Sequence, residues 1–104
     1  MTQTANPPQI EANDLSDDAV ILDVRDQDQW DAGHAPGAIH IPIAQLPARL
    51  AELPGTTRPL PVTCGGGTKG KHASALLIDA GIDAVELRGG MRSWKATGRP
   101  LVTD

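Results

Sequence analysis

The sequence predicts an α/β domain with a central, mostly parallel sheet that carries helices on both faces. Short apolar runs rich in β-branched residues alternate along the chain with segments of helical spacing. Glycine or proline stands between most of these segments, as turns between short elements require. Because parallel strands end at one edge of a sheet, the residues that follow them form the expected binding edge.

Five short strands are predicted, because the apolar runs are too short for typical helices. They are a strand starting at Ile10 and the segments 19–24, 38–42, 61–63 and 83–87. Helical segments are predicted at residues 26–32, 43–53, 73–81 and 91–97. The second helical segment has the apolar spacing of an amphipathic helix, at Ile43, Leu46, Leu50 and Leu53.

Length and charge limit the classes of function. The chain has 104 residues, which predicts one domain at residues 10–104 after a flexible tail at residues 1–9. A net charge of −4 argues against a nucleic-acid partner, because phosphate binding needs a basic surface. The first residues lack the pattern of a signal peptide, and no segment has the length of a membrane span. We therefore expect a cytoplasmic monomer or weak dimer with no membrane partner.

Cys64 is the only cysteine and the leading candidate for chemistry. One cysteine excludes an intramolecular disulfide and a multi-cysteine zinc site, and three scattered histidines do not form a metal site, so no metal or cofactor is expected. Cys64 lies between a predicted strand and a helix, where backbone N–H groups converge and favour an anion such as a thiolate. The residues predicted to surround that anion are Gly65, Gly66, Gly67, Thr68, Lys69 and Gly70. A small buried apolar role is the alternative interpretation of a lone cysteine.

Several ordered motifs resemble those of the rhodanese-like domain family. The segment 64–69 is similar to the active-site loop of that family in position and length, and the resemblance extends over residues 10–102. The other matching motifs are the segments 21–25, 33–42 and 87–91, together with Trp30, Trp94 and Gly98. The resemblance implies a three-layer domain with a five-stranded sheet.

The same resemblance implies sulfurtransferase activity. Cys64 would take a sulfane sulfur from a small anionic donor such as thiosulfate and hold it as a persulfide. The acceptor would be cyanide, a thiol or a sulfur-acceptor protein, and residues 65–70 would bind the substrate. Family loops commonly carry arginine where this chain has Gly65 and Lys69. Lysine keeps the charge but lacks the bidentate fork of arginine, so weak binding of thiosulfate is expected.

Polar residues near the predicted strand ends are interpreted as supports of the site. Asp23 and Arg25 lie at the end of the strand predicted at residues 19–24 and are expected to form a structural ion pair or hydrogen-bond anchor. His34 lies in a Gly-His-x-Pro-Gly turn and is expected to hold that turn and not to act as a base. His40 is predicted on the strand surface.

Two tryptophans and one arginine outside the loop are also assigned expected positions. Trp30 and Trp94 are predicted as core residues, because large aromatic side chains are usually buried for packing. Arg88 follows the last predicted strand and is a further candidate for the edge that carries Cys64.

Two other classes of function remain open. A cysteine phosphatase of the same fold is one, although its loop has five residues between cysteine and arginine, and that position is Gly70 here. A non-catalytic interaction or regulatory module is the other, although such modules usually lack the cysteine. A nucleotide-binding P-loop is disfavoured, because His72 stands where that motif needs serine or threonine.

Overall fold

The computed structural model describes residues 6–55 and 57–103 and contains one five-stranded sheet. The strands are Gln9–Ile10 (β1), Leu22–Asp23 (β2), Ile39–His40 (β3), Leu60–Thr63 (β4) and Ala84–Leu87 (β5). Their spatial order is β1-β5-β4-β2-β3, and every strand pairing is parallel. The predicted α/β class with a parallel five-stranded sheet is therefore confirmed, and β4 lies at the centre of that sheet.

The described residues form three α-helices, two of them between strands and one after β5, in places close to those predicted. They are Gln27–Ala32 (α1), Lys69–Asp79 (α2) and Gly90–Ala96 (α3). The α2 helix begins at Lys69, so the first turn of the helix already contains the last two residues of the predicted anion loop. No helix within residues 6–55 and 57–103 is long and apolar enough to cross a membrane.

The helix predicted at residues 43–53 is instead two short 3₁₀ helices, Ile43–Ala48 and Leu50–Glu52. Pro47 lies inside the first of them, and proline lacks the N–H group that a continuous α-helix needs. The apolar pattern of this segment still reaches the core. Leu46 is fully buried, and the other apolar members of the pattern pack against the same cluster.

Two apolar clusters divide the core. Leu22 belongs to the larger cluster together with α2 side chains such as Leu77, whereas the neighbouring Ile21 belongs to the smaller cluster with Met91 and Trp94 of α3. Successive residues of an extended strand point to opposite faces of the sheet, so the two clusters cover opposite faces. Helices therefore lie on both faces, and α2 and α3 approach the same edge from opposite sides.

Trp94 is a core residue, as predicted. Its side chain is 4% exposed, and its indole N–H donates a 2.8 Å hydrogen bond to the carbonyl of Pro100. The guanidinium of Arg99 lies 4.4 Å from the centre of the indole ring, so a cation–π contact closes its outer side.

The sheet begins within the segment that the sequence assigned to a flexible tail. Gln9 pairs with Glu86, and the carbonyl of Pro8 accepts a 2.8 Å hydrogen bond from the N–H of Glu86. The structured part of the domain thus starts before residue 10. The first five residues of the predicted tail lie outside the described residues.

Candidate active site

Cys64 follows directly after β4, at the carboxyl edge of the sheet. The residue is 3% exposed. Its thiol donates a weak 3.7 Å hydrogen bond to the carbonyl of Gly67, so the loop curls back over the sulfur. The end of β2 lies beside it, because Asp23 pairs with Thr63 in the parallel register.

The loop after Cys64 has a row of unused hydrogen-bond donors. Within the described parts of the chain, no carbonyl or side chain accepts a hydrogen bond from the N–H groups of residues 65–70. Thr68, the N-cap of α2, makes no side-chain cap, so the start of the helix is also open. Such N–H groups and the positive end of the helix dipole favour a bound anion. The predicted donors are therefore available around Cys64.

The start of α3 is hydrogen-bonded to the backbone at the beginning of this loop. The carbonyl of Cys64 accepts hydrogen bonds from the N–H of Met91 at 2.7 Å and from the hydroxyl of Thr63 at 3.2 Å. Gly90 has φ +58°, and a Cβ atom there would lie 2.5 Å from the carbonyl oxygen of Cys64 and 2.8 Å from the nitrogen of Gly66. Only glycine permits this close approach of two backbones.

A cavity of about 440 Å³ opens above Cys64. Its polar side chains come from three separate parts of the chain. The lining residues are Arg25, Gln29, Cys64, Gly65, Gly66, Gly67, Thr68, Lys69 and Arg92. The volume is in the range of small-ligand pockets, and its charged side chains are all positive. The cavity therefore suits a small anion next to the sulfur.

The two exposed cations of this cavity differ in their contacts. The ammonium group of Lys69 lies 3.6 Å from a carboxylate oxygen of Asp26, which precedes α1. The guanidinium of Arg92 has no hydrogen bond or ion pair with any residue that the structure describes. Its Nε atom lies 3.4 Å from the position that a Cβ atom on Gly66 would occupy. Arg92 is thus a positive charge of the cavity, next to Gly66, that no described residue compensates.

Asp23 and Arg25 form a buried ion pair behind the cavity. Two carboxylate oxygens of Asp23 accept hydrogen bonds from the guanidinium at 2.8–3.1 Å, and one oxygen also accepts the backbone N–H of Arg25. The guanidinium donates a further 2.7 Å hydrogen bond to the carbonyl of Gly33. Asp23 is 0% and Arg25 5% exposed. The pair therefore ties the end of β2 to the end of α1.

His34, Trp30 and His40 form a stack of three rings. The Trp30 and His34 rings are 3.5 Å apart and almost parallel, and the His40 ring lies 4.7 Å from Trp30. His34 donates from Nδ1 to the carbonyl of Trp30, and His40 donates from Nε2 to the carbonyl of Arg25, both at 2.8 Å. His40 was predicted on the strand surface, but it is packed into this stack. Trp30 is half-buried and covers the two histidines, so its predicted core position is only partly correct.

Arg88 lies away from the cavity. Its guanidinium contacts Glu11 at 3.5 Å, and its N–H donates to the carbonyl of Ile10 at the β1 edge. The residue that reaches the Cys64 cavity is Arg92, which the sequence reasoning missed together with Gln29. The signal for Arg92 was its place in the first turn of α3, two residues after the glycine pair Gly89-Gly90. The described residues contain no group of three or more potential metal ligands.

The chain resembles known proteins over most of its length. The family model for the rhodanese-like domain matches residues 8–97. A protein named sulfurtransferase from Allochromatium vinosum is 31% identical over 88 residues, which are 84% of this chain and 81% of that protein. An HTH-type transcriptional regulator of Mycobacterium tuberculosis is 40% identical over 86 residues, but the matched part is 81% of this chain and only 38% of the regulator. A crystal structure of a rhodanese-related protein from Thermoplasma volcanium superposes with a TM-score of 0.85 at 29% identity, covering 93% of this chain and 99% of that one.

Proposed function

This chain belongs to the rhodanese-like domain family, and we propose that it is a sulfurtransferase that carries a sulfane sulfur as a persulfide on Cys64. The single observation that carries the proposal is the position of the sulfur. Cys64 lies at the floor of a small, positively lined cavity and is followed by six N–H groups that have no acceptor among the described residues.

The proposed first step is nucleophilic attack by the Cys64 thiolate on the outer sulfur of thiosulfate. A sulfur–sulfur bond forms between protein and donor, while the sulfur–sulfur bond of thiosulfate breaks. Sulfite leaves with the electron pair of the broken bond, and the negative charge moves to the terminal sulfur of the persulfide. Free N–H donors around the loop would stabilise this terminal charge, as an oxyanion hole stabilises an oxyanion.

The test is an intact-mass spectrum of the protein after incubation with thiosulfate. We expect a mass increase of one sulfur atom, with release of sulfite, and reversal of the increase by cyanide. Aryl phosphates should not be hydrolysed, because the cavity lacks the arginine within the loop that orients a phosphoryl group. Phosphate ester turnover without any persulfide would support the phosphatase alternative and contradict the proposal.

Arg92 is proposed as the group that binds the anionic end of the donor. Arg92→Gln should lower kcat/KM for thiosulfate by roughly 10- to 100-fold, the equivalent of about 1.5–3 kcal/mol for a charge-assisted hydrogen bond. Lys69→Gln should have a smaller effect, because the ammonium group of Lys69 is exposed and already near Asp26. Steady-state kinetics with thiosulfate and cyanide measures both values.

The matched control for Arg92→Gln is Arg88→Gln. Arg88 is an exposed arginine that contacts Glu11 and lines neither the Cys64 cavity nor the neighbouring groove. The control should retain kcat/KM within about twofold. Equal losses in the two variants would indicate a general charge effect, and a larger loss for Lys69→Gln than for Arg92→Gln would assign the donor site to lysine.

A regulatory module is the second candidate function. The 40% identity with a part of a transcriptional regulator favours it, because a domain of this kind occurs there within a longer protein. The two proposals differ in turnover. A module that only senses sulfur would take up one sulfur and release it slowly, whereas a sulfurtransferase would complete many cycles with an excess of donor and acceptor.

A further inference from the structure

A second groove of about 550 Å³ lies between α1 and α3, beside the Cys64 cavity. It does not include Cys64 or the later residues of the loop. The groove is lined by Arg25, Gln29, Ala32, Gly33, Gly65, Met91, Arg92, Lys95 and Ala96. Its volume is in the range of pockets that hold small organic molecules. The groove is therefore large enough for a ligand beyond the sulfur donor.

All charged side chains that line this groove are positive. No acidic residue lines it, and its cations are Arg25, Arg92 and Lys95. The charge of Arg25 is compensated by Asp23 at 2.8 Å. Arg92 and Lys95 are three residues apart on α3 and so face the same side, and neither side chain has an ion pair with a described residue. Two uncompensated positive charges thus line the groove of a chain whose net charge is −4.

The groove is continuous with the cavity that contains the sulfur. Arg25, Gln29, Gly65 and Arg92 line both spaces. Gly65 directly follows Cys64, so a ligand in the groove would lie next to the residue that carries the sulfur. Lys95 lines only the groove, whereas Lys69 lines only the cavity. Each space therefore has one cation that the other lacks.

We propose that the groove between α1 and α3 is the acceptor subsite, and that it binds a small peptide thiol through free carboxylates held by Lys95 and Arg92. This inference rests on the proposed sulfur transfer. Carboxylates are the counter-charge that exposed ammonium and guanidinium groups select. With its carboxylates at Lys95, such a molecule places its thiol toward Gly65 and the Cys64 cavity.

The reaction in this arrangement is thiol attack on the persulfide. The acceptor thiol gives its proton to the terminal sulfur of the persulfide anion, and the resulting thiolate attacks that sulfur and forms a new sulfur–sulfur bond. The bond between the terminal sulfur and Cys64 breaks, and its electron pair returns to Cys64 as a thiolate. The products are the acceptor persulfide and the free enzyme, so no oxidant or reductant is needed.

The experiment separates the two half-reactions. Persulfide-loaded protein, with the loaded fraction measured by intact mass, is mixed with glutathione or with glutathione diethyl ester, whose carboxylates are masked. For the wild type we expect faster sulfur release to glutathione. Lys95→Glu should reduce the rate constant for glutathione by roughly tenfold and leave the rate for the ester within twofold, because the change reverses one charge near the carboxylates. Arg88→Glu is the matched charge-reversal control and should not discriminate between the two thiols.

Binding is measured independently on unloaded protein with S-methylglutathione, which cannot accept sulfur. NMR shifts are expected at α1 and α3 residues of the groove and should be weakened by Lys95→Glu. Equal rate losses for glutathione and its ester in Lys95→Glu, or shifts at other surfaces, would overturn the acceptor subsite. Failure of the wild type to load with sulfur would contradict the sulfurtransferase proposal instead, while the NMR titration would still decide whether the groove binds the peptide.

Discussion

Replacing Cys64 with serine is expected to abolish persulfide formation and to lower turnover by roughly 10³-fold or more. A serine hydroxyl is a far weaker nucleophile than a thiolate, and this chain has no second cysteine to take its place. The fold should survive, because the substitution exchanges one small buried side chain for another of similar shape. Intact mass after thiosulfate treatment and steady-state kinetics measure the loss, and far-UV circular dichroism reports the fold.

The matched control for this prediction is Ser74→Ala. Ser74 is a fully buried small residue of α2, and its hydroxyl has no hydrogen-bond partner among the described residues. The control should load sulfur normally and retain its melting temperature, because removing an unsatisfied hydroxyl carries no penalty. Sulfur loading of Cys64→Ser at the wild-type level would assign the sulfur to another group and contradict the role of Cys64.

Asp23→Ala is expected to destabilise the domain by about 3–5 kcal/mol. The change leaves the guanidinium of Arg25 buried, with the carbonyl of Gly33 as its remaining acceptor. A domain of this size has a total stability of only about 5–15 kcal/mol, so much of the protein would unfold at moderate temperature. Chemical denaturation followed by circular dichroism measures the change in unfolding free energy.

The comparison variant at this position is Asp23→Asn. Asparagine keeps one acceptor oxygen for Arg25 but removes the charge, so its loss of stability should be smaller. Activity should fall in proportion to stability in both variants. Arg25 lines the cavity and the groove, but its charge is compensated by Asp23, so the pair is expected to support the site and not to bind the substrate. Inactive Asp23→Ala protein with unchanged stability would show a direct chemical role for the carboxylate.

The fold could be predicted because four of the five strands lie in short apolar runs, whereas the start of β1 was misplaced because the polar Gln9 was assigned to the tail. Cys64 could be placed at the edge of the sheet for the same reason, since the loop follows a strand that is fully buried. The segment 43–53 shows where this reasoning ends. Its apolar spacing correctly predicted which side chains reach the core, but Pro47 prevented the α-helix that the spacing suggested.

Only the residues of the candidate site that are close to Cys64 in sequence could be predicted. Residues 65–70 follow Cys64 in sequence, so their proximity needs no knowledge of the fold. Arg92 reaches the loop because α3 packs its first turn against the carbonyls of Cys64 and Gly65, a contact between distant parts of the chain. Arg88 was the more obvious candidate, because it directly follows β5. The chain turns at Gly89 and Gly90, which both have positive φ, so Arg88 and Arg92 lie on different sides of this turn.

The close contact between Gly90 and the backbone of Cys64 also has a consequence for folding. The site joins the end of β2, the loop after β4 and the start of α3, which come from the first, middle and last thirds of the chain. Contacts of such long sequence separation form late, because the entropy of closing the intervening chain must be overcome first. No fragment that stops before α3 contains the N–H group of Met91 that holds Cys64. A nascent or truncated chain would therefore expose the Cys64 thiol without its anion loop, and the proposed sulfur loading would begin only when the whole domain has formed.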